Sequence, residues 1–245
     1  MADTDESARA AAVDFTRAVA AWWQEQLGAD LLGVYLLGSL AHGGFNRRYS
    51  DIDIAVIAKQ PLTDDVRGAM KAHAATIAPE LGPKLSLFWT DRSFTIGRFP
   101  PLDRADYLDH AMTLVERERV RPPRPTLEEV RLYLGGAPFA NWAKAADGFA
   151  ALETLEPKDH KPYLRAHLYP ARFAYSWITG RMASNDEAVA FLRLQPPPGL
   201  DVALIERALA LRQQAADPDP LFPDRVKLAQ QVAACAALAG ILVQP

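Results

Sequence analysis

Two aspartates lie two residues apart inside an apolar segment, Ser-Asp-Ile-Asp-Ile-Ala-Val, which contains Asp51 and Asp53. If this segment is a strand, alternate side chains share a face, so both carboxylates project together while Ile52 and Ile54 face the core. Two carboxylates on one face repel each other unless a cation lies between or beside them. Oxygen ligands select hard ions, which predicts Mg²⁺ first and Mn²⁺ second. Magnesium bound in this way commonly shares its open positions with substrate phosphates.

A Gly-Ser pair at Gly38 and Ser39 precedes the aspartates. Gly38 allows the backbone to approach a ligand closely, and the residues after it can begin a short helix whose amides point at an anion. We expect this turn to hold phosphates next to the metal. Ser50 and Arg47, in the intervening loop, are further candidate nucleotide contacts; the alternative for Arg47 is a solvated loop position.

The first half of the chain alternates predicted helices and strands. Apolar spacing predicts a helix over 6–27, and Thr63 is a candidate N-cap for a helix over 64–78. Continuous apolar runs predict buried strands, which we place at 31–37, 52–57, 85–90 and 112–115.

The second half has almost no strand signal. The segment RPPRP at 121–125 is stiff and extended, so we place the domain boundary there, with domains at 1–122 and 123–245. Capping boxes at Thr126 and Ser184 predict helix starts. Helical patterns predict a bundle of about five helices, which includes segments at 139–155, 161–181 with an interruption near Pro170, 202–216 and 225–238.

Composition limits the classes of function. The chain of 245 residues is 49% hydrophobic and 23% charged, which excludes general disorder. A net charge of -3 provides no global field for nucleic acid or membrane. The acidic N-terminus does not resemble a signal peptide, and the single cysteine, Cys235, suits a reducing compartment. We therefore expect a cytoplasmic protein.

These motifs together resemble a known superfamily. Gly-Ser followed by Asp-x-Asp in an apolar strand resembles the nucleotidyltransferases that include DNA polymerase β. The stretch GSLAHGGFNRRYSDIDIAV is similar to aminoglycoside adenylyltransferases of the streptomycin/spectinomycin type, which modify antibiotics, and ARFAYSWITGRMASNDEAVAF is similar to a later segment of them. The resemblance implies an α+β fold, with a small mixed sheet and flanking helices followed by an all-α helical bundle.

The resemblance also implies a reaction. Such enzymes transfer a nucleoside monophosphate, usually AMP from ATP, to a hydroxyl and release pyrophosphate, with metal ions holding the attacking and leaving oxygens. Asp51 and Asp53 match the metal-binding carboxylates, and Gly38 and Ser39 match the phosphate-binding turn.

The chain departs from the superfamily at a third carboxylate. The strand KLSLFWTD has Ser86 where that acid is expected. Asp91, at the end of this strand, is the candidate catalytic base, with Glu80 or Asp103 as alternatives; the alternative role for Asp91 is a cap at the end of the strand. The serine at position 86 also supports a second hypothesis, in which the protein binds nucleotides in a regulatory role and has lost its catalytic activity.

In the helical half, Tyr175, Trp177 and Asp186 are candidate substrate-binding residues, because aromatic faces and an acid suit a cationic, sugar-like acceptor. The alternative is that the aromatics are core and that Asp186 is a first-turn acid. We expect a nucleoside triphosphate and a small-molecule hydroxyl, with an aminoglycoside as the candidate acceptor. Transfer to a protein or RNA is the alternative, although the lack of a basic stripe argues against RNA.

Overall fold

The computed structural model describes residues 2–238 and 240, with side chains from residue 6 onward. The chain divides into two compact units, Met1–Arg124 and Pro125–Pro245, which are described separately. Among the residues that the structure describes, no helix has both the length and the apolar character that crossing a membrane requires.

The first unit is built on a four-stranded mixed sheet. The strand order is β3-β2-β1-β4; β1 runs antiparallel to β2 and β4, and β2 runs parallel to β3. This arrangement confirms the predicted small mixed sheet with flanking helices. The elements in chain order are α1 Ala2–Leu27, β1 Leu31–Leu37, α2 Gly38–Ala41, β2 Ile52–Ala58, α3 Asp64–Ile77, β3 Leu85–Thr90, α4 Pro101–His110 and β4 Met112–Glu116.

The two faces of the sheet bury different cores. Ile52 and Ile54 of β2 pack into a cluster with α1, whereas Ala55 and Ile57 belong to an aromatic cluster on the other face. Because side chains alternate along a strand, Asp53 lies on the same face as Ala55 and Ile57. The strand therefore turns Ile52 and Ile54 into the α1 core and Asp53 away from it.

Helix α4 was not predicted from the sequence. Its sequence, PLDRADYLDH, starts with a proline at the first helical position, which suits a helix start. Its buried face carries Asp106 beside Leu102 and Tyr107. A carboxylate at a buried position breaks the apolar periodicity, so the segment gives no clear helical signal.

The described part of the second unit contains helices joined by turns and loops and no strand, which confirms the predicted bundle. The capping boxes at Thr126 and Ser184 are both formed. The predicted interruption near Pro170 is wrong, because one helix runs through this proline and packs against five others, which offsets the lost backbone hydrogen bond. Six helices follow one another here: α5 Leu127–Leu134, α6 Ala137–Ala150, α7 His160–Thr179, α8 Asn185–Leu194, α9 Val202–Gln213 and α10 Leu228–Ala237.

His167 is a buried histidine in the middle of α7. Its exposure is 1%, and among the described residues neither ring nitrogen has a hydrogen-bond partner. The Tyr163 ring lies edge-on to it, with the ring centroids 4.9 Å apart. Burial lowers the pKa of His167 to about 4; to a smaller extent, the Asp224 charge raises this pKa and the Arg207 charge lowers it.

This histidine predicts a specific loss of stability in acid. Between about pH 6.5 and about pH 4 the unfolded chain binds a proton that folded His167 does not, so the free energy of unfolding falls as the pH falls through this window. The total loss is on the order of 3 kcal/mol. His167→Leu is expected to remove this component, which urea unfolding of parent and variant between pH 4 and 7 would measure. Identical pH slopes in the two proteins would contradict the prediction.

Candidate functional site

The glycine turn and the second aspartate are in direct contact. Leu37, the last residue of β1, pairs with Asp53 of β2, and α2 begins immediately afterwards at Gly38. Gly38 has φ +62°, and a Cβ atom placed on it would lie 2.2 Å from Asp53 Oδ2. Only a glycine lets the Asp53 carboxylate lie this close to the turn, so the structure explains the Gly-Ser and Asp-x-Asp motifs together.

Ser39 and Asp51 lie at the same edge of the sheet. Ser39 is the second residue of α2, two residues after Leu37, and Asp51 directly precedes β2, two residues before Asp53. Because β1 and β2 are antiparallel with Leu37 opposite Asp53, both positions fall at one end of the strand pair. Ser39, Asp51 and Asp53 are all partly exposed. This edge therefore carries two carboxylates and, on a backbone turn, a hydroxyl, and all three side chains are partly accessible to solvent.

The loop between the two motifs is held by its own polar side chains. Asn46 Oδ1 accepts hydrogen bonds from the backbone amides of Arg48 and Tyr49, at 2.9 and 3.0 Å. Ser50 is buried, and its hydroxyl accepts a hydrogen bond from the backbone amide of Asn46 at 2.9 Å. These contacts give Ser50 a role in shaping the loop that delivers Asp51 to the sheet edge.

Arg47 lies on the surface of this loop. Its guanidinium pairs with Glu80 at 2.9 Å, and the two side chains are 66% and 79% exposed. An ion pair this exposed contributes little to stability. The structure therefore places Arg47, the candidate nucleotide contact, in a solvent-exposed ion pair. Its partner Glu80 is one of the alternative candidates for the catalytic base.

The third strand places Ser86 opposite Asp53. Strands β2 and β3 are parallel with these two residues in register, so the position where an acid was expected holds a partly exposed hydroxyl. Asp91 follows the other end of β3, about 16 Å along the strand from Ser86. There it accepts hydrogen bonds from the amide and hydroxyl of Ser93. The prediction of Asp91 as the base at this edge is therefore not supported, because a parallel strand carries it to the opposite edge.

Asp106 of α4 is the contact to the turn that sequence reasoning missed. It is 3% exposed, and its Oδ2 accepts a hydrogen bond from the Gly38 amide at 3.1 Å. Its Oδ1 lies 2.5 Å from Nε2 of His42, the residue that ends α2. The Gly38 amide, at the start of α2, is therefore already hydrogen-bonded to the Asp106 carboxylate. Asp103, another alternative for the base, lies in the first turn of the same helix.

The candidate acceptor residues in the helical unit do not form one cluster. Tyr175 packs edge-on against Phe191 of α8, with the ring centroids 5.2 Å apart. Trp177 contacts Arg131 of α5, whose guanidinium carbon lies 5.6 Å from its ring centroid. Two residues apart on a helix point to different faces, which is why the two aromatics have different neighbours. Asp186, exposed in the first turn of α8, accepts a hydrogen bond from Gln213 of α9.

Arginines gather around Tyr169 in the same unit. The guanidinium carbons of Arg165 and Arg172 lie 5.5 and 5.2 Å from the Tyr169 ring centroid, within the range of cation–π attraction. The nearby Arg212 is largely buried, and burial lowers its pKa below the usual value. The three arginines therefore lie close to one aromatic ring of this unit.

The comparisons with known proteins identify the fold. No protein-family model and no curated protein matches the sequence. The crystal structure of spectinomycin adenyltransferase AAD(9) from Enterococcus faecialis with ATP and spectinomycin is similar, with a TM-score of 0.59 and 13% identity over 90% of this chain and 98% of that one. A toxin-antitoxin structure with AMP-PNP matches with a TM-score of 0.33 and 20% identity over 42% of this chain and 74% of that one, too distant to support an argument. The predicted resemblance to nucleotidyltransferases is confirmed at the level of the fold.

Proposed function

We propose that the protein is a Mg²⁺-dependent nucleotidyltransferase that transfers a nucleoside monophosphate, AMP from ATP in the leading case, to a hydroxyl of a small molecule. The observation that carries the proposal is the contact between the Gly38 turn and Asp53, in a fold similar to that of an adenylyltransferase crystallised with ATP. An added Cβ atom on Gly38 would prevent this close approach of the turn to the Asp53 carboxylate. The close approach suits a nucleotide whose phosphates and metal must lie side by side.

The residues at the edge fit a hard divalent cation. Asp51 and Asp53 offer only oxygen donors, lie at one end of the β1–β2 strand pair and are partly exposed, so they would hold Mg²⁺ or Mn²⁺ with positions left open for phosphate oxygens. Bound there, the ion would neutralise charge on the transferring phosphate. Ser39, on the adjoining turn, would donate its hydroxyl to a phosphate oxygen.

The reaction is an in-line displacement. An acceptor oxygen forms a bond to the α-phosphorus, the bond from that phosphorus to the bridging oxygen breaks, and pyrophosphate leaves. The acceptor proton must pass to a base. Ser86, opposite Asp53, is a weak base, so the active site of this chain would rely on a group other than the carboxylate expected at that position.

The acceptor is the finer part of the proposal. A small hydroxyl compound is the leading class, with an aminoglycoside as the candidate, bound by the helical residues 123–245 through Tyr175, Trp177 or Asp186. The solved neighbour was crystallised with spectinomycin, which makes that compound the first acceptor to test.

A second candidate is a nucleotide-binding protein without turnover. Ser86 at the position opposite Asp53 favours it, because it leaves the edge without its third acid. Transfer to any acceptor, small molecule or protein, would exclude this candidate.

Nucleotide binding can be tested before an acceptor is known. A ligand at 100 times its dissociation constant adds roughly 2.7 kcal/mol to the free energy of unfolding. Thermal unfolding with each of the four ribonucleoside triphosphates, with and without Mg²⁺, is expected to show a Mg²⁺-dependent rise in melting temperature for the parent and none for Asp51→Asn. Asp14→Asn, which changes an exposed aspartate on α1, is the matched control and should behave as the parent. An equal rise for Asp51→Asn and the parent would refute the metal assignment.

A further inference from the structure

A second group of potential metal ligands lies next to the glycine turn at Gly38. His42, Asp106 and His110 each offer one ligand atom, and these three atoms all lie within 4.8 Å of one another. The side chains of His42 and Asp106 are only 6% and 4% exposed. The imidazole rings of His42 and His110 lie 4.5 Å apart between centroids, at a tilt of 54°. The group joins the end of α2 to the end of α4.

We propose that these three residues form a site for a transition-metal ion of the zinc class, separate from the Mg²⁺ edge. Two imidazole nitrogens and one carboxylate oxygen form a donor set that suits Zn²⁺, Co²⁺ or Fe²⁺, whereas Mg²⁺ prefers oxygen alone. Three protein ligands leave a fourth position open to water or an incoming ligand. The proposal is independent of the nucleotidyl-transfer activity.

The spacing needs little adjustment to accept such an ion. With metal–nitrogen and metal–oxygen bonds of about 2.0–2.2 Å, the ligands of a tetrahedral site lie about 3.3 Å apart. His42 Nε2 and Asp106 Oδ1 now face each other at 2.5 Å, so they would separate slightly, and the His110 nitrogen would approach. His42 lies at the end of α2, and Asp106 and His110 are four residues apart on α4, so they lie on the same face of that helix. Side-chain rotation can make this change.

The surroundings of Asp106 resemble those of a metal ligand. Its second oxygen accepts the Gly38 amide, and carboxylates that bind metals are commonly held by such an outer hydrogen bond. A hydrogen bond between Asp106 and His42 alone would explain a structural tie between α2 and α4. It would not require the second histidine, His110, with its nitrogen within reach of both.

Metal binding at this site would act on the glycine turn. Asp106 bonds to Gly38 directly, and His42 caps α2 with its amide bonded to the Gly38 carbonyl at 3.0 Å. An ion held by both residues would therefore cross-link the turn to α4. The same turn also contacts Asp53, so the site would fix the position of the candidate nucleotide-binding edge.

Cobalt absorption provides the test. Co²⁺ bound by imidazole nitrogens in a four- or five-coordinate site absorbs visible light far more strongly than Co²⁺ among oxygens in an octahedral site. We expect the whole protein, titrated with Co²⁺ in excess Mg²⁺ and without nucleotide, to develop intense bands that saturate at one equivalent and disappear when Zn²⁺ is added. Absence of these bands in the parent would overturn the proposal.

Variants then locate the ion. His110→Ala and the bulkier His110→Gln alter a partly exposed residue at the end of α4, so both should fold as the parent does by circular dichroism. We expect both to bind Co²⁺ at least about tenfold more weakly and to lose the intense bands. His73 is a partly buried histidine of α3 that stacks on Trp22. His73→Ala is therefore the control, and it should retain both the Co²⁺ affinity and the intense bands of the parent. Unchanged bands and affinity in folded His110 variants would also overturn the proposal, whatever the outcome of the nucleotide experiments.

Discussion

Replacing Asp53 with asparagine is expected to abolish nucleotidyl transfer while leaving the fold intact. Asparagine has nearly the same shape, so the pairing of β1 with β2 at Leu37 and Asp53 should persist. The variant loses one of the two negative charges that would hold the metal, and metal stabilisation of the transferring phosphate amounts to several kcal/mol. Turnover should therefore fall by at least about a thousandfold. Pyrophosphate release from ATP and Mg²⁺, with spectinomycin and related hydroxyl compounds as acceptors, measures it.

Asp91→Asn is the matched control for this substitution. Asp91 is also an aspartate next to a strand of the same sheet, but it lies at the far end of β3 and accepts hydrogen bonds from Ser93. Asparagine can accept the same bonds, so this variant should turn over at nearly the parental rate. Parental turnover in Asp53→Asn would refute the catalytic metal site. A severe loss in Asp91→Asn alone would restore Asp91 as a catalytic group.

The candidate edge could be predicted largely from local sequence. The alternation around Asp51 and Asp53 predicts a shared face, and the structure places the intervening Ile52 in the α1 core, as expected. The apolar runs predict β1 and β3 with the bounds that the structure has, Leu31–Leu37 and Leu85–Thr90. These signals are strong because each depends on residues close together in the chain.

The direction of β3 could not be derived from its composition. An apolar strand has the same pattern whether it runs parallel or antiparallel to its neighbour. The structure makes β3 parallel to β2, which aligns Ser86 with Asp53 and carries Asp91 away. Only a β3 antiparallel to β2 would have brought Asp91 to the edge that carries Asp53.

Contacts over long sequence separations were missed for a related reason. Asp106 meets Gly38 across 68 positions in the chain, and it lies on a helix whose buried face is partly polar. Periodicity detects apolar faces, so it does not detect a helix that buries a carboxylate for a hydrogen bond. By contrast, the divergence of Tyr175 and Trp177 was available from helix geometry, because residues two apart do not share a face.

Gly38→Ala should separate the functional role of the turn from its backbone strain. Gly38 and Gly43 both have positive φ, +62° and +85°, so alanine at either position incurs a similar backbone penalty of about 1 kcal/mol. Among the described residues other than its two chain neighbours, none has an atom within 4 Å of a Cβ added to Gly43, whereas at Gly38 the added Cβ would lie 2.2 Å from Asp53 Oδ2. Only Gly38→Ala must therefore displace the carboxylate or the turn.

We expect the two variants to lose similar stability but to differ in nucleotide binding. Gly43→Ala should keep the Mg²⁺-dependent rise in melting temperature with ATP, and Gly38→Ala should bind Mg²⁺-ATP at least about tenfold more weakly, a loss of about 1.4 kcal/mol. Calorimetric titration of both variants measures the difference. Equal affinities would show that the close approach of Gly38 to Asp53 serves packing alone. A selective loss in Gly38→Ala would show that glycine is needed here because the phosphate-binding turn and the metal-binding carboxylate occupy adjoining space.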